Sequence, residues 1–205
     1  MTWYWDAAVG RYRDERGHFM ARARVLEHVQ NSLGATGAVV DVLAGYAGQG
    51  ALNAGDFGGL FREEIKKEYI RQYLLGIGGR DQMTAADWGS IGGMLREQYR
   101  FLDGFLAEIA AGNLTEAQIM ARARMYINSA REAYERAHGK VAGKLGATEE
   151  LWVLGVAEHC DDCLALAAEG WQPVGTFPNP GDGSTQCLTN CQCHKEYRDP
   201  AGKEL

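Results

Sequence analysis

The sequence predicts a mainly α protein, built as an antiparallel helical bundle with a short N-terminal β-hairpin and a small C-terminal α+β lobe. Long central stretches repeat apolar residues every three or four positions, which is typical of amphipathic helices. Turn-forming residues separate two short strand-like segments near the N-terminus. After residue 146 the helical pattern stops, and glycine, proline and cysteine become frequent.

The first 20 residues are predicted to form the hairpin. Strands at 11–13 and 18–20 would flank a turn at 14–17, where Gly17 can adopt the positive φ of a tight turn. Just before them lies an aromatic segment, Trp3, Tyr4 and Trp5. Such a segment needs a surface on which to bury. It would either pack on the chain's own helices or form an arm that docks on a partner.

Residues 21–146 are predicted to form the helical domain. Its first part is weakly patterned: 21–33 is expected to be helical, Gly34 and Gly37 to interrupt the helix, and 39–43 to extend a helix. Several glycines follow without the spacing of a phosphate-binding loop, which indicates flexible or closely packed backbone. They are Gly45, Gly48, Gly50, Gly55, Gly58 and Gly59.

Three stronger helices follow. The first covers about 60–75. The second begins at Thr84 and the third at Thr115, each with a capping-box pattern, and glycines at 112 and 139 are expected to end them. The short connection at 112–114 predicts that the last two are antiparallel neighbours. Their apolar stripes are Trp88, Ile91, Leu95, Leu102, Phe105, Leu106 and Ile109, and then Ile119, Ala123, Ile127, Ala130 and Tyr134.

We place a boundary near residue 147, so that 147–205 forms the C-terminal lobe. A strand is predicted at 151–156, followed by a Gly/Pro-rich segment at 170–182. The lobe has few large apolar side chains for its length. A lobe this small rarely supplies enough core to fold alone, and a bound metal commonly makes up the deficit.

Charge and composition exclude several function classes. The net charge is −6, and residues 151–205 carry eight Asp or Glu against three Lys or Arg, which argues against direct nucleic-acid binding. No apolar run approaches the ~20 residues of a membrane span, and the N-terminus lacks a signal-peptide pattern. We therefore expect a protein kept in reducing cytoplasm, where cysteines serve as thiolate ligands rather than disulfides.

The five cysteines carry the clearest chemical signal. They form a CxxC pair and a second group with spacing CxxxCxC: Cys160 and Cys163, then Cys187, Cys191 and Cys193. Two close groups joined by a loop are typical of a tetrahedral zinc site. The alternatives are buried or free thiols, and a redox CxxC that lacks its usual βαβ context. All five are candidate ligands; we favour Cys160, Cys163 and Cys187, with Cys193 ahead of Cys191 for the fourth place.

The predicted zinc is structural rather than catalytic. Four thiolates close the coordination sphere and leave no position for water. His159 and His194 adjoin the two cysteine groups and are expected to be solvated neighbours. Neither the zinc-deaminase nor the HExxH pattern is present, and no catalytic set is found elsewhere, so we expect no enzyme activity.

The order of these features resembles a known family. A helix with Ala121–Arg124, Asn128 and Tyr134 leads through 151–153 into the CxxC, a Pro/Gly loop, and then Asn190-Cys191-Gln192-Cys193. This is similar to the minor head proteins of tailed bacteriophages, the head-morphogenesis family typified by phage Mu. Its members end in a CxxC, a loop and a motif close to His-Pro-Asn-Cys-Arg-Cys. Here Gln192 stands where Arg is usual, and Cys187 lies one residue further out than the family's His.

The resemblance covers roughly 107–197 and implies a function. It implies a low-copy structural protein of the virion, which acts in head assembly near the portal and contacts the portal protein, the major capsid protein or both. The host cytoplasm would be its location during assembly, and a homo-oligomer within the virion is compatible with this role. The alternatives are a zinc-containing nuclease or toxin-like enzyme, and a zinc-dependent nucleic-acid binder, which the acidic lobe disfavours.

Overall fold

A computed structural model, which describes residues 3–205, confirms the mainly helical fold with an N-terminal hairpin and C-terminal strands near the cysteines. The hairpin consists of β1 (Trp3–Asp6) and β2 (Arg11–Asp14). The helices of the body are α1 (Arg22–Gly48), α2 (Ala54–Ile77), α3 (Ala85–Ala110), α4 (Glu116–Asn128) and α5 (Arg131–Lys144). The lobe contains β3 (Glu149–Val153), α6 (Asp161–Ala168), β4 (Gln172–Pro173) and β5 (His194–Arg198). None of the helices within this described part of the chain is long and apolar enough to cross a membrane.

The hairpin differs from the predicted one in its pairing. Strand β2 pairs mainly with β1, although the predicted turn also exists: Gly17 has φ 81°, and Arg13 forms a bridge to Phe19. The aromatic segment explains the difference, because pairing with β1 lets Trp3 and Trp5 each pack about 5.0 Å from the Tyr12 ring. Both tryptophans also contact the helical core, whereas Tyr4 is exposed.

Helix α1 runs without a break through Gly34 and Gly37, so the predicted interruption is wrong. A helical glycine costs about 1 kcal/mol relative to alanine. Tertiary packing outweighs that cost here, because Val29, Leu33 and Val40 continue one buried face along the helix. Gly37 itself lies under the Arg124 side chain of α4.

The predicted third helix is two helices, α4 and α5, separated at Ser129 and Ala130. The two capping boxes, at Thr84 and Thr115, are confirmed. The expected end at Gly139 is wrong, because α5 continues to Lys144 and Gly139 lies against the Tyr197 ring of β5. Helix α4 packs closely against α1 rather than α3. Contact with α3 is made by long side chains, such as Tyr126, which stacks on Phe105 at 5.8 Å.

Two buried carboxylates join the helices. Glu68 of α2 is fully buried and accepts hydrogen bonds from Ser32 and Thr36 of α1 at 2.8 and 2.6 Å. Asp87, in the first turn of α3, accepts from the Tyr73 hydroxyl of α2 at 2.7 Å and forms an ion pair with Lys140 of α5. These hydrogen bonds offset the cost of burying charge and fix the helices relative to one another.

The lobe is a three-stranded antiparallel sheet in the order β4-β3-β5, with α6 beside β3. Trp152 of β3 is almost completely buried and packs against Phe177 and three of the cysteines, Cys163, Cys191 and Cys193. Strand β5 also packs against α5. The sheet therefore contacts both the cysteine cluster, through Trp152, and the helical body, through β5.

Helices α2 and α5 approach closely at Gly76. A Cβ there would lie 2.4 Å from the Tyr134 carbonyl oxygen and 2.8 Å from the Ala137 Cβ. We predict that Gly76→Ala lowers the free energy of unfolding by about 1–3 kcal/mol through overpacking. Gly89→Ala is the matched control in α3: it meets open space, so it should raise stability by about 1 kcal/mol. Chemical denaturation of both variants measures this, and equal effects would contradict the close helix contact.

Candidate metal centre

The structure brings all five cysteines into one cluster. Their sulfur atoms form two overlapping groups in which every pair lies within 4.8 Å: Cys160, Cys163 and Cys187, and then Cys163, Cys191 and Cys193. Cys163 belongs to both. The CxxC pair and the second cysteine group, separated by a long loop in sequence, therefore meet at one place, and the cluster is compatible with a metal site.

The CxxC pair is positioned by the start of α6. Cys160 precedes the helix in an extended conformation and Cys163 lies in its first turn, so both sulfurs lie at the same end of the helix. Asp161 and Asp162 occupy that first turn, where negative charge is favourable. The Asp162 carboxylate accepts a hydrogen bond from the Gln186 backbone N–H at 2.8 Å. This bond ties the first pair to the chain segment that carries Cys187.

The second cysteine group lies on a 3-10 turn that leads into β5. The turn, Leu188–Asn190, places Cys187 and Cys191 at its two ends. Leu188 has φ 50°, a left-handed conformation that costs a residue with a side chain about 1 kcal/mol or more. The Asn190 side chain accepts a hydrogen bond from Asn128 of α4 at 2.7 Å. The turn is therefore held against the helical body as well as against α6.

Two of the sulfur–sulfur distances match those expected for tetrahedral coordination. Cys163 Sγ lies 3.6 Å from Cys187 Sγ and 3.7 Å from Cys191 Sγ. Sulfurs bound to a tetrahedral zinc at about 2.3 Å are separated by about 3.8 Å. All five thiols are free, so no disulfide competes for these atoms. The donor set and its spacing therefore fit a thiolate-bound metal ion.

The surroundings favour the thiolate form at two of the five positions. Burial raises the pKa of Cys160, but hydrogen bonds from the backbone N–H groups of Cys163 and Cys187 outweigh it and lower that pKa overall. The pKa of Cys193 is lowered by a hydrogen bond from the Cys191 thiol, which outweighs burial. The pKa of Cys191 is raised, first by the same hydrogen bond and then by burial.

Trp152 adds a second polar contribution beside Cys193. Its indole N–H is buried and has no hydrogen-bond partner among the described residues, yet it is close enough to help lower the pKa of the Cys193 thiol. A buried donor beside a sulfur favours negative charge on that sulfur. Burial raises the pKa of Cys163, the sulfur shared by both groups, so this thiol, like Cys191, needs a nearby cation to become a thiolate.

The structure places the two histidines in different surroundings, and neither is the solvated neighbour that was predicted. His159 Nδ1 lies 3.8 Å from Cys193 Sγ, at the edge of the cluster. His194 was expected to be solvated, but it is buried, because β5 pairs with β3 and packs on α5 at this point. Its Nε2 lies 3.5 Å from the Glu196 carboxylate. Of the two, His159 is the one placed beside a sulfur.

The structure also reveals a supporting residue that the sequence did not indicate. Arg131, the first residue of α5, is 4% exposed. Its guanidinium donates to the backbone carbonyls of Cys193 and Gln192 at 3.2 and 3.3 Å. From the sequence, an arginine at the start of a helix is expected to be exposed to solvent. Only the packing of α5 against the end of the cysteine segment gives it this position.

No protein-family model, no curated protein and no solved structure matches this chain.

We predict that Cys163→Ser loses most of the bound metal, because its sulfur belongs to both groups. Cys160→Ser should also lose metal, since it removes the other half of the CxxC pair. Comparing Cys191→Ser with Cys193→Ser identifies the fourth ligand, because the variant of a non-ligand should keep its metal. Elemental analysis of protein purified under reducing conditions measures each occupancy. Full occupancy in either Cys160→Ser or Cys163→Ser would contradict this arrangement of the site.

Proposed function

We propose that the cysteine cluster binds one structural zinc ion. Thiolate donors at near-tetrahedral spacing favour zinc over the hard cations, which prefer oxygen. The proposed ligands are Cys160, Cys163 and Cys187, with the fourth position taken by Cys191 or Cys193. With four sulfurs bound, zinc has no open position, so its contribution is to hold α6, the 3-10 turn and the start of β5 together.

We further propose that the protein is a structural component of a tailed-bacteriophage head, with the portal or major capsid protein as its partner. The observation that carries this proposal is that the two cysteine segments of the motif meet in space. The CxxC and the Asn190-Cys191-Gln192-Cys193 segment resemble the minor head protein family in sequence, and they meet in one thiolate cluster. A role in assembly also fits a closed metal site, which stabilises a binding surface but offers no position for a substrate.

One observation favours the alternative of a zinc-containing nuclease or toxin-like enzyme. His159 Nδ1 lies 3.8 Å from Cys193 Sγ, so an imidazole is available beside the cluster. If His159 replaced a cysteine as ligand or remained free as a base, the site would resemble a catalytic one more closely. The structural proposal remains stronger, because the five thiols can fill the coordination sphere without the histidine.

Purified phage particles provide the direct test of the assembly role. We predict that the chain is present at low copy in heads isolated from the phage that encodes it, and that deleting its gene reduces the yield of filled heads. Quantitative mass spectrometry of gradient-purified particles measures the copy number. Absence from particles, together with metal-dependent cleavage of plasmid DNA that His159→Ala abolishes, would overturn this proposal in favour of the nuclease.

We predict that removing zinc unfolds the lobe and leaves most of the helical signal intact. The lobe's core is small and centres on Trp152 and three of the cysteines, whereas the helices bury their own apolar core. The binding energy of a structural zinc is then folding energy for the lobe. Circular dichroism and limited proteolysis, with and without a strong chelator, measure the two effects. Loss of the whole helical signal would contradict a boundary near residue 147.

A further inference from the structure

Arg131 connects three parts of the molecule. It starts α5, and its Nε and Nη2 donate to the carbonyl oxygens of Cys193 and Gln192 at 3.2 and 3.3 Å. Its Nη1 donates to the side-chain oxygen of Gln30, on α1, at 3.0 Å. The planar guanidinium therefore holds the backbone that presents Cys193, and α1 in turn holds the guanidinium.

The guanidinium of Arg131 forms no direct ion pair: within residues 3–205, its three acceptors are the neutral oxygens described above. The side chain is nevertheless almost completely buried. The buried carboxylate of Glu135, one turn further along α5, offsets part of the cost of burying this cation. Further negative charge in the same region would stabilise it more.

The proposed zinc site would supply that charge. A zinc ion bound by four thiolates carries a net charge of about −2, and the cysteine segment that Arg131 contacts is part of the ligand set. Groups that surround a metal site and hydrogen-bond to its ligand segments commonly orient the ligands and tune metal affinity.

We propose that Arg131 is a positioning residue of the metal centre, which fixes the Gln192–Cys193 backbone and balances the negative charge of the thiolate site. This inference rests on the proposed zinc site and adds a link between that site and the helical body. Metal binding and the packing of α5 would then reinforce each other, although Arg131 does not touch the metal.

The test compares zinc affinity in full-length variants. Arg131→Gln removes the charge and the guanidinium fork, and it should weaken zinc binding by about 10–100-fold. Arg131→Lys keeps the charge but loses the guanidinium fork, so its zinc affinity should lie between those of the unmodified chain and Arg131→Gln. Arg136→Gln is the matched control on the same helix, because the exposed Arg136 pairs with Glu132 and makes no described contact with the cysteine segment. Its zinc affinity should match that of the unmodified chain.

Competition with a chromogenic zinc chelator measures the affinities, and the absorption of cobalt-loaded protein reports on ligand geometry. A role confined to general stability would lower the melting temperature without changing either readout. Wild-type affinity and an unchanged cobalt spectrum in folded Arg131→Gln would overturn the inference. Failure of the unmodified chain to bind zinc would instead overturn the proposed metal site.

If Arg131→Gln does not fold, Gln30→Ala serves as the second test. It removes only the exposed amide that orients the guanidinium from α1. Loss of one such hydrogen bond to a charged group should weaken zinc binding by about 3–10-fold. An unchanged zinc affinity in this variant would also overturn the inference.

Discussion

Helix α5 packs against α2 and also against β5. The position of the cysteine cluster relative to the helices depends on this double contact. Toward α2 the fit is close, because Gly76 lies against the Tyr134 backbone. Toward β5 the Tyr197 ring lies against Gly139, and Glu135 accepts a hydrogen bond from the Lys195 backbone N–H at 3.3 Å. Moving α5 would therefore disturb both the helical core and the strand that follows Cys193.

Charged groups are buried where the lobe meets the helices. Glu135 of α5 is fully buried and accepts a hydrogen bond from the Lys195 backbone N–H, whereas the buried Lys195 side chain pairs with Glu150 inside the lobe at 3.3 Å. The Glu135 contact favours one arrangement of the two parts, because a shifted lobe would leave a buried carboxylate without that donor. This explains how a lobe with little apolar core can hold its cysteines in a defined position relative to the helices.

Sulfur chemistry accounts for the rest of the lobe's organisation. Contacts among five thiols add little stability, and charge repulsion opposes the deprotonation of several of them together. A bound cation removes that repulsion and turns the cluster into a source of stability. The backbone N–H groups around Cys160 and the Trp152 indole prepare the site for negative charge, so the protein environment and the ligand chemistry favour the same state.

Features that depend on local patterns follow from the sequence alone: the fold class, the capped starts of α3 and α4 at Thr84 and Thr115, and the grouping of the cysteines. The sequence could not determine features that depend on distant partners. Gly34, Gly37 and Gly139 do not break helices, because packing across the body and against β5 outweighs their weak propensity. The packing of α4 on α1, the burial of His194 and the contact of Arg131 with the Cys193 backbone emerge only in the folded chain, because each requires segments far apart in sequence to meet.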